Sequence, residues 1–190
     1  MGCAEGELAL KLISSYWETE RLFVRDAVLD TDLDGLQKLW ESTAYIGEYD
    51  GHPERKEDDM YRDLTEGDLP PNGSKDRFKV QSIFSKVTSE MVGYMTLYQG
   101  YPDNKTVWLT FFYIGVVNQA RGFGQEIISQ FALEAKTAGF RRLMLQVALK
   151  NWGAIRFWTK AGFNKITGFY GDKTYGNNTF ANLALEKSLD

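Results

Sequence analysis

One short stretch carries most of the chain's chemistry: Val116-Val117-Asn118-Gln119-Ala120-Arg121-Gly122-Phe123-Gly124-Gln125. A β-branched and aromatic run enters it and an amphipathic run leaves it, so a strand is expected to turn directly into a helix here. The first amides of a helix have no partners inside it and sit at the positive end of its dipole, which makes a ready anion site. Gly122 and Gly124 remove Cβ atoms that would hold a phosphate away from that backbone. Arg121 can add a charge-assisted hydrogen bond. The chemistry implied is capture of a phosphate or pyrophosphate by main-chain amides.

Three phosphate loops compete for this stretch. A P-loop needs Gly-x-x-x-x-Gly-Lys-Ser/Thr, and no such run exists in the chain. A dinucleotide loop needs a third glycine where Ile127 stands, and an acidic residue after the next strand, where Gln146 and Val147 stand. The acyl-CoA pyrophosphate loop, Gln/Arg-x-x-Gly-x-Gly/Ala, fits Gln119, Gly122 and Gly124 at every fixed position. The plain alternative is a tight turn with no ligand.

The rest of the chain must position this loop. Its 190 residues suit one domain with a substantial core, and 43% apolar and 25% charged residues are ordinary for a soluble globular protein. Residues 1–17 read as an N-terminal extension with a short helix over residues 7–15, leaving 18–190 as the domain. Alternation predicts a first strand over residues 20–26, then a helix capped by Thr31 or Asp32, with Leu33, Leu36, Leu39 and Trp40 on one face. Residues 53–64 suggest an exposed helix, and Pro70-Pro71-Asn72-Gly73 a break. A hairpin follows over residues 78–87 and 91–99, then a strand over 106–117. The loop opens a helix over 122–138 with Ile127, Ile128, Phe131, Ala135 and Ala138 on one face. The apolar run 143–147 reads as a strand buried on both faces. Asn151 caps a further helix, and two strands near 163–169 and 180–187 close the chain. The sum is a single α+β domain with a mixed sheet.

Composition also excludes. A net charge of −4 with no basic stretch argues against nucleic acid. No apolar stretch is long enough for a bilayer span, and residues 8–13 are too short for a signal peptide. Gly6 stands where a myristoylation motif wants Ser or Thr. Cys3 and His52 are each the only residue of their type, so no disulfide and no Cys- or His-based metal site is expected. A cytoplasmic location is the default expectation.

Here the chain resembles the Gcn5-related N-acetyltransferase family over residues 18–189. Thr19-Glu20-Arg21-Leu22 with Arg25 looks like the opening strand of its ribosomal-protein and antibiotic acetyltransferase branch. Glu90-Met91-Val92-Gly93-Tyr94 resembles its central hairpin, and Asn151-Trp152-Gly153-Ala154 through Gly162-Phe163 its Asn-x-x-Ala…Gly-Phe segment. Residues 180–189 resemble its closing strand. The resemblance implies a mostly antiparallel sheet of about seven strands flanked by helices, with a V-shaped split between the fourth and fifth. It implies acetyl-CoA as co-substrate, with Ile114, Val116 and Val117 at the pantetheine arm and Gln119, Ala120, Arg121, Gly122, Phe123, Gly124 and Gln125 at the pyrophosphate. Asn151, Ala154, Phe157 and Trp158 would lie along the arm, with no metal required.

The family's reaction is direct attack of a neutral amine on the thioester, without a covalent enzyme intermediate. Its usual acid, a tyrosine on the helix after the fifth strand, is Trp158 here, and an indole cannot donate a proton near neutral pH. Tyr170 and Tyr175 are candidate substitutes, and Glu48 or Asp50 a candidate base. Trp158 is otherwise core packing.

Residues 48–68 are rich in Asp and Glu. That field attracts a cationic amine, although the plainer account, which the sequence favours, is a solvated helical face partly neutralised by Arg55, Lys56, Arg62 and Lys75. Tyr45, Tyr49, Tyr94 and Tyr98 are candidates for an acceptor cleft. Three functions stay open: acetylation of a small cationic amine, acetylation of a protein N-terminus or lysine, and acyl-CoA binding without catalysis. The resemblance also allows a homodimer.

Overall fold

A computed structural model describes residues 11–190 of the chain. Its elements run β1 (Tyr16–Glu18), β2 (Leu22–Asp26), α1 (Leu29–Glu41), α2 (Gly47–Asp50), α3 (Asp59–Thr65), β3 (Phe78–Ser85), β4 (Met91–Gln99) and β5 (Thr106–Ile114). Then come α4 (Phe123–Thr137), β6 (Arg142–Ala148), α5 (Trp152–Lys160), β7 (Lys165–Gly171) and β8 (Ala181–Ser188). One eight-stranded sheet has the order β1-β2-β3-β4-β5-β6-β8-β7. Every neighbouring pair is antiparallel except β5 and β6. The α+β class and the mixed, mostly antiparallel sheet follow the sequence reading, with β1 as the additional strand.

That strand lies inside the stretch read as an extension. Ile13 and Trp17 belong to the core, Ile13 N–H donates to Gln99 Oε1 at 2.7 Å, and Trp17 Nε1–H donates to Gln81 Oε1 at 3.1 Å. The helix expected over residues 7–15 begins outside the described residues, and residues 11–15 are not helical.

The sheet separates two cores. On one face, α4 supplies Ile127, Ile128, Phe131 and Ala135, and α5 supplies Trp158 and packs Phe157 against them. On the other, Leu36 of α1 and Met60 of α3 cover Phe78, Val80, Tyr94, Tyr98 and Tyr113. The first helix is not capped by Thr31 or Asp32: its N-cap is Val28, one turn earlier. Asp32 is buried instead, where it takes Arg25 through both carboxylate oxygens (2.6 and 2.7 Å), Ser82 Oγ at 3.0 Å and the Val28 amide at 3.0 Å. These bonds hold its carboxyl below the usual range against the opposing pull of burial, and they tie α1 to β2 and β3. No helix among the described residues is long and apolar enough to cross a membrane.

Candidate active site

The split in the sheet has a local cause. In the β4–β5 ladder Thr96 faces Phe111 while the next residue, Leu97, faces Leu109, so Thr110 is an extra, bulged residue. A bulge bends its strand and inverts the side-chain alternation beyond it. Val107 and Leu109 accordingly face α4 and α5, and beyond Thr110 it is Phe112 and Ile114 that do so. The parallel pairing of β5 with β6 ends at the same point, its last pair being Leu109 with Leu145. Below the bulge the strands are joined; above it they part.

A cavity of about 640 Å³ lies along the β5 side of the opening. It is bordered by Phe112, Tyr113 and Ile114 of β5, by the loop and first turn of α4, by α5 and by Tyr45, Ile46 and Tyr49 near α2. Of the residues singled out in sequence, Ile114, Gln119, Ala120, Gly122, Phe123, Gly124, Gln125, Asn151, Ala154, Phe157 and Trp158 line it together. Val116, Val117 and Arg121 are exposed and lie outside its lining, as do Glu48 on α2, Tyr170 at the end of β7 and Tyr175 in the following loop. Tyr175 is 93% exposed.

The loop is built to leave amides free. After β5 the chain makes a short 3-10 turn, Val116–Asn118, and Ala120 (φ 59) and Gly122 (φ 82) take left-handed backbone, which glycine adopts without strain. Among the described residues, no hydrogen bond is donated by the backbone amides of residues 120–125; the first amide of the helix to find a partner is Glu126, bonded to the Gly122 carbonyl at 3.1 Å. Gly124 has a packing reason as well, since a Cβ there would come within 3.1 Å of the Phe157 ring. Gln119 braces the turn: its side-chain amide donates to the Ile114 carbonyl at 2.8 Å.

The bend just before β2 holds this loop in place. Arg21 pairs with Glu126 at 2.6 Å, donates to the Arg121 carbonyl at 3.0 Å and lies over the Phe123 ring at 4.7 Å. Burial alone would raise the Glu126 carboxyl, but bonds from Thr19, the Arg21 amide and its guanidinium hold it below its usual range.

The far wall is aromatic. Trp158 meets Phe157, Phe163 and Phe112 at 4.8, 5.1 and 5.8 Å between ring centroids, so its indole is core packing that also borders the cavity. Asn151 Oδ1 accepts from the Ala154 amide at 3.0 Å and caps α5 from the cavity edge. Three phenols border the opposite end. Tyr113 is buried and takes a hydrogen bond from Ser42 Oγ at 3.1 Å; burial pushes its phenol up, with the Ser42 bond opposing. Tyr45 and Tyr49 line the same cavity, as the cleft reading expects, whereas Tyr94 and Tyr98 lie in the core on the α1–α3 face and border other pockets. Phe112 and Tyr113 escaped the sequence reading because the parity change at Thr110 decides which side they face.

The sequence model described as the acetyltransferase (GNAT) family matches residues 34–163. No curated protein matches the chain. Among solved structures, an acetyltransferase (GNAT family) from Bacillus anthracis superimposes with a TM-score of 0.68 at 14% identity, over 92% of this chain and 98% of that one. A spermidine N-acetyltransferase from Vibrio cholerae, in complex with CoA and spermine, gives 0.67 at 15% identity over 88% and 95%. An N-acetyltransferase from Staphylococcus aureus Mu50 gives 0.65 at 16% identity over 89% and 99%. At such identities the likeness is one of fold.

Proposed function

The chain belongs to the acetyltransferase (GNAT) family, whose co-substrate is acetyl-CoA, and from that premise we propose that it moves an acetyl group from acetyl-CoA to the primary amine of a small cationic molecule. The observation that carries this reading is the joining of two features in one cavity, the unpartnered amides before α4 and the edge of β5 beyond Thr110, where its pairing with β6 has ended. The catalytic domain takes in Ile13 and Trp17, which pack into its core, so it begins ahead of residue 18.

The pyrophosphate would rest on the amides of residues 120–125 and the dipole of α4. Gly122 and Gly124 let it touch them, and Arg21 keeps the turn in shape. The acyl arm would run along the parted edges of β5 and β6, where an unpaired N–H can polarise the thioester carbonyl. The amine's lone pair attacks the carbonyl carbon while both substrates are bound, the C–S bond breaks, and the thiolate leaves with a proton.

Tyr45, Tyr49 and Tyr113 border the cavity and are better placed to give that proton than Tyr170 or Tyr175, which do not. Tyr113, like any phenol, carries its proton at neutral pH, and burial raises it further. The ammonium's proton passes to water, with Glu48 and Asp50, which flank Tyr49 on α2 but lie outside the cavity lining, as more distant acceptors.

Calorimetric titration of acetyl-CoA into wild type and into a Gly122→Asp, Gly124→Asp variant tests the loop, and thiol release over a panel of amines tests the transfer. Binding that the variant loses, together with amine-dependent thiol release, is the expected result. Failure of folded wild type to bind acetyl-CoA overturns the reading; tight binding with no turnover on any amine reduces the protein to an acyl-CoA binder.

A further inference from the structure

Resting on that transfer reading, we infer that the pocket between α3 and the β4–β5 pair is an acceptor subsite that takes the second ammonium group of a linear diamine or polyamine. The pocket holds about 330 Å³ on the sheet face opposite α4. Its floor is Tyr94 and Thr96 of β4 with Thr110 and Phe111 of β5, and Trp40 of α1 closes one side.

The wall on α3 and just after it presents four carboxylates, Asp59, Asp63, Glu66 and Asp68, against one guanidinium, Arg62. Two of the four are engaged. Asp59 Oδ2 accepts from Trp40 Nε1 and the Lys56 amide, both at 2.8 Å, and Glu66 faces Arg62 at 3.8 Å. Among the described residues, the Asp63 carboxylate has neither a hydrogen bond nor an ion pair; the neighbouring Lys75 ammonium spends its bond on the Asp63 backbone carbonyl at 2.7 Å.

A second observation is independent of the acids. Tyr94 is 1% exposed, and its hydroxyl is the one fully buried side-chain polar atom without a partner among the described residues. An orphan of that kind costs stability unless something comes to meet it. Burial also pushes Asp63 up to about 6, with Asp68 and Asp59 adding to the rise and Lys75 and Arg62 opposing it. The pocket therefore contains a carboxylate with no hydrogen bond or ion pair, although Lys75 and Arg62 lie within its field, and a phenol with no hydrogen-bond partner.

The shape selects the cation. No group of His, Cys, Asp or Glu among the described residues converges to hold a metal ion. Trp40 and Phe111, edge to face at 5.4 Å, offer ring surface instead, with the buried Tyr94 ring stacked behind Phe111 at 5.6 Å. Rings beside carboxylates suit a methylene chain ending in an ammonium, through apolar contact and cation–π attraction. Thr110 supplies the direction: it is the bulged residue at which β5 and β6 part, so a chain held at Asp63 extends from there toward the split. A neighbouring pocket of about 320 Å³ shares Thr110 and Asp68 and gives room for longer polyamines.

The test is calorimetry on the CoA-loaded protein with putrescine and with butylamine, which differ by one terminal ammonium. The inference expects putrescine to bind at least about tenfold tighter. Asp63→Asn should shrink that preference below about twofold, and Tyr94→Phe should lower putrescine affinity several-fold without lowering the melting temperature. Equal affinity for the two amines, or an undiminished preference in Asp63→Asn, overturns the subsite. Thiol release from acetyl-CoA in parallel separates the two ideas. Equal turnover of both amines leaves the transferase standing and removes the subsite; a putrescine preference without thiol release leaves the subsite and removes the transferase.

Discussion

The loop before α4 and the wall made by α3 both gather charge-reading groups at the sheet, but the loop does it with backbone amides and the wall with side chains. Amides at a helix start are present in any sequence; what the loop needs is a left-handed turn, taken by Ala120 and Gly122, and room, which Gly124 supplies by lacking a Cβ. The wall depends on which side chains α3 turns inward, and only Met60 of that helix is buried. A backbone site is strict about shape and indifferent to most side chains, whereas a side-chain site can be rewritten one residue at a time.

Four measurements sharpen or break this contrast. The largest effect belongs to the Gly122→Asp, Gly124→Asp variant. Placing carboxylates on the anion site and losing several charge-assisted bonds should weaken acetyl-CoA by on the order of a hundredfold or more. Putrescine binding should stay within about twofold; an equal loss of both ligands would mean the two sites are not separate.

Next comes Tyr113→Phe, which removes the hydroxyl bonded by Ser42. If this phenol protonates the thiolate, kcat falls about tenfold while both KM values hold. An unchanged kcat passes the role to Tyr45 or Tyr49.

The third is a stability measurement. Asp63 is raised to about 6 from 3.8, so its neutral form is the one the fold favours. That stabilisation is complete below the ordinary carboxylate pKa and is lost as pH rises through about 6. Asp63→Asn should thus change little below about pH 4 and should stabilise the unliganded protein by on the order of 1–2 kcal/mol above pH 6. A destabilised variant at neutral pH would show the carboxylate to be paired in solution and the pocket to be filled already.

The smallest effect is expected from Arg21→Ala. Glu126 is held below its usual 4.5, so its contribution is present above that value and fades as pH falls through the lowered pKa. Removing the guanidinium should cost about 0.5–1 kcal/mol at neutral pH, after allowing for screening of a half-exposed pair, and should raise the acetyl-CoA KM a few-fold. A loss as large as that of the glycine variant would make Arg21 a ligand rather than a brace.

The same contrast explains what could be read from sequence. Gln119, Gly122 and Gly124 announce themselves because backbone geometry leaves its mark as spacing, and the helix and strand after them show clean periodicity. Asp32 was expected as a cap because Asp suits a helix start, but its partners Arg25 and Ser82 come from β2 and β3, and no local pattern discloses a buried pair across strands. Thr110 looks like any strand residue; its bulge is decided by the partner strand. The residue 1–17 boundary also stops short of what packing shows, because Ile13 and Trp17 become core only once β3 and β4 stand beside them. The acids of α3 read as a solvated face because a seven-residue helix is too short for its inward side to declare itself.

The four residue pairs between Thr106 and Leu109 on β5 and Arg142 and Leu145 on β6 are all that joins the ladder of the first five strands to that of the last three. Mechanically, the sheet is two plates spliced along a short seam at one end. Above the splice the plates are held only through the core they share under α4 and α5, with the bulge at Thr110 marking where the direct seam stops. A ligand lying along both free edges would act as a clasp, and its arrival or departure would be felt as stiffening or slackening across the whole molecule rather than at the site alone.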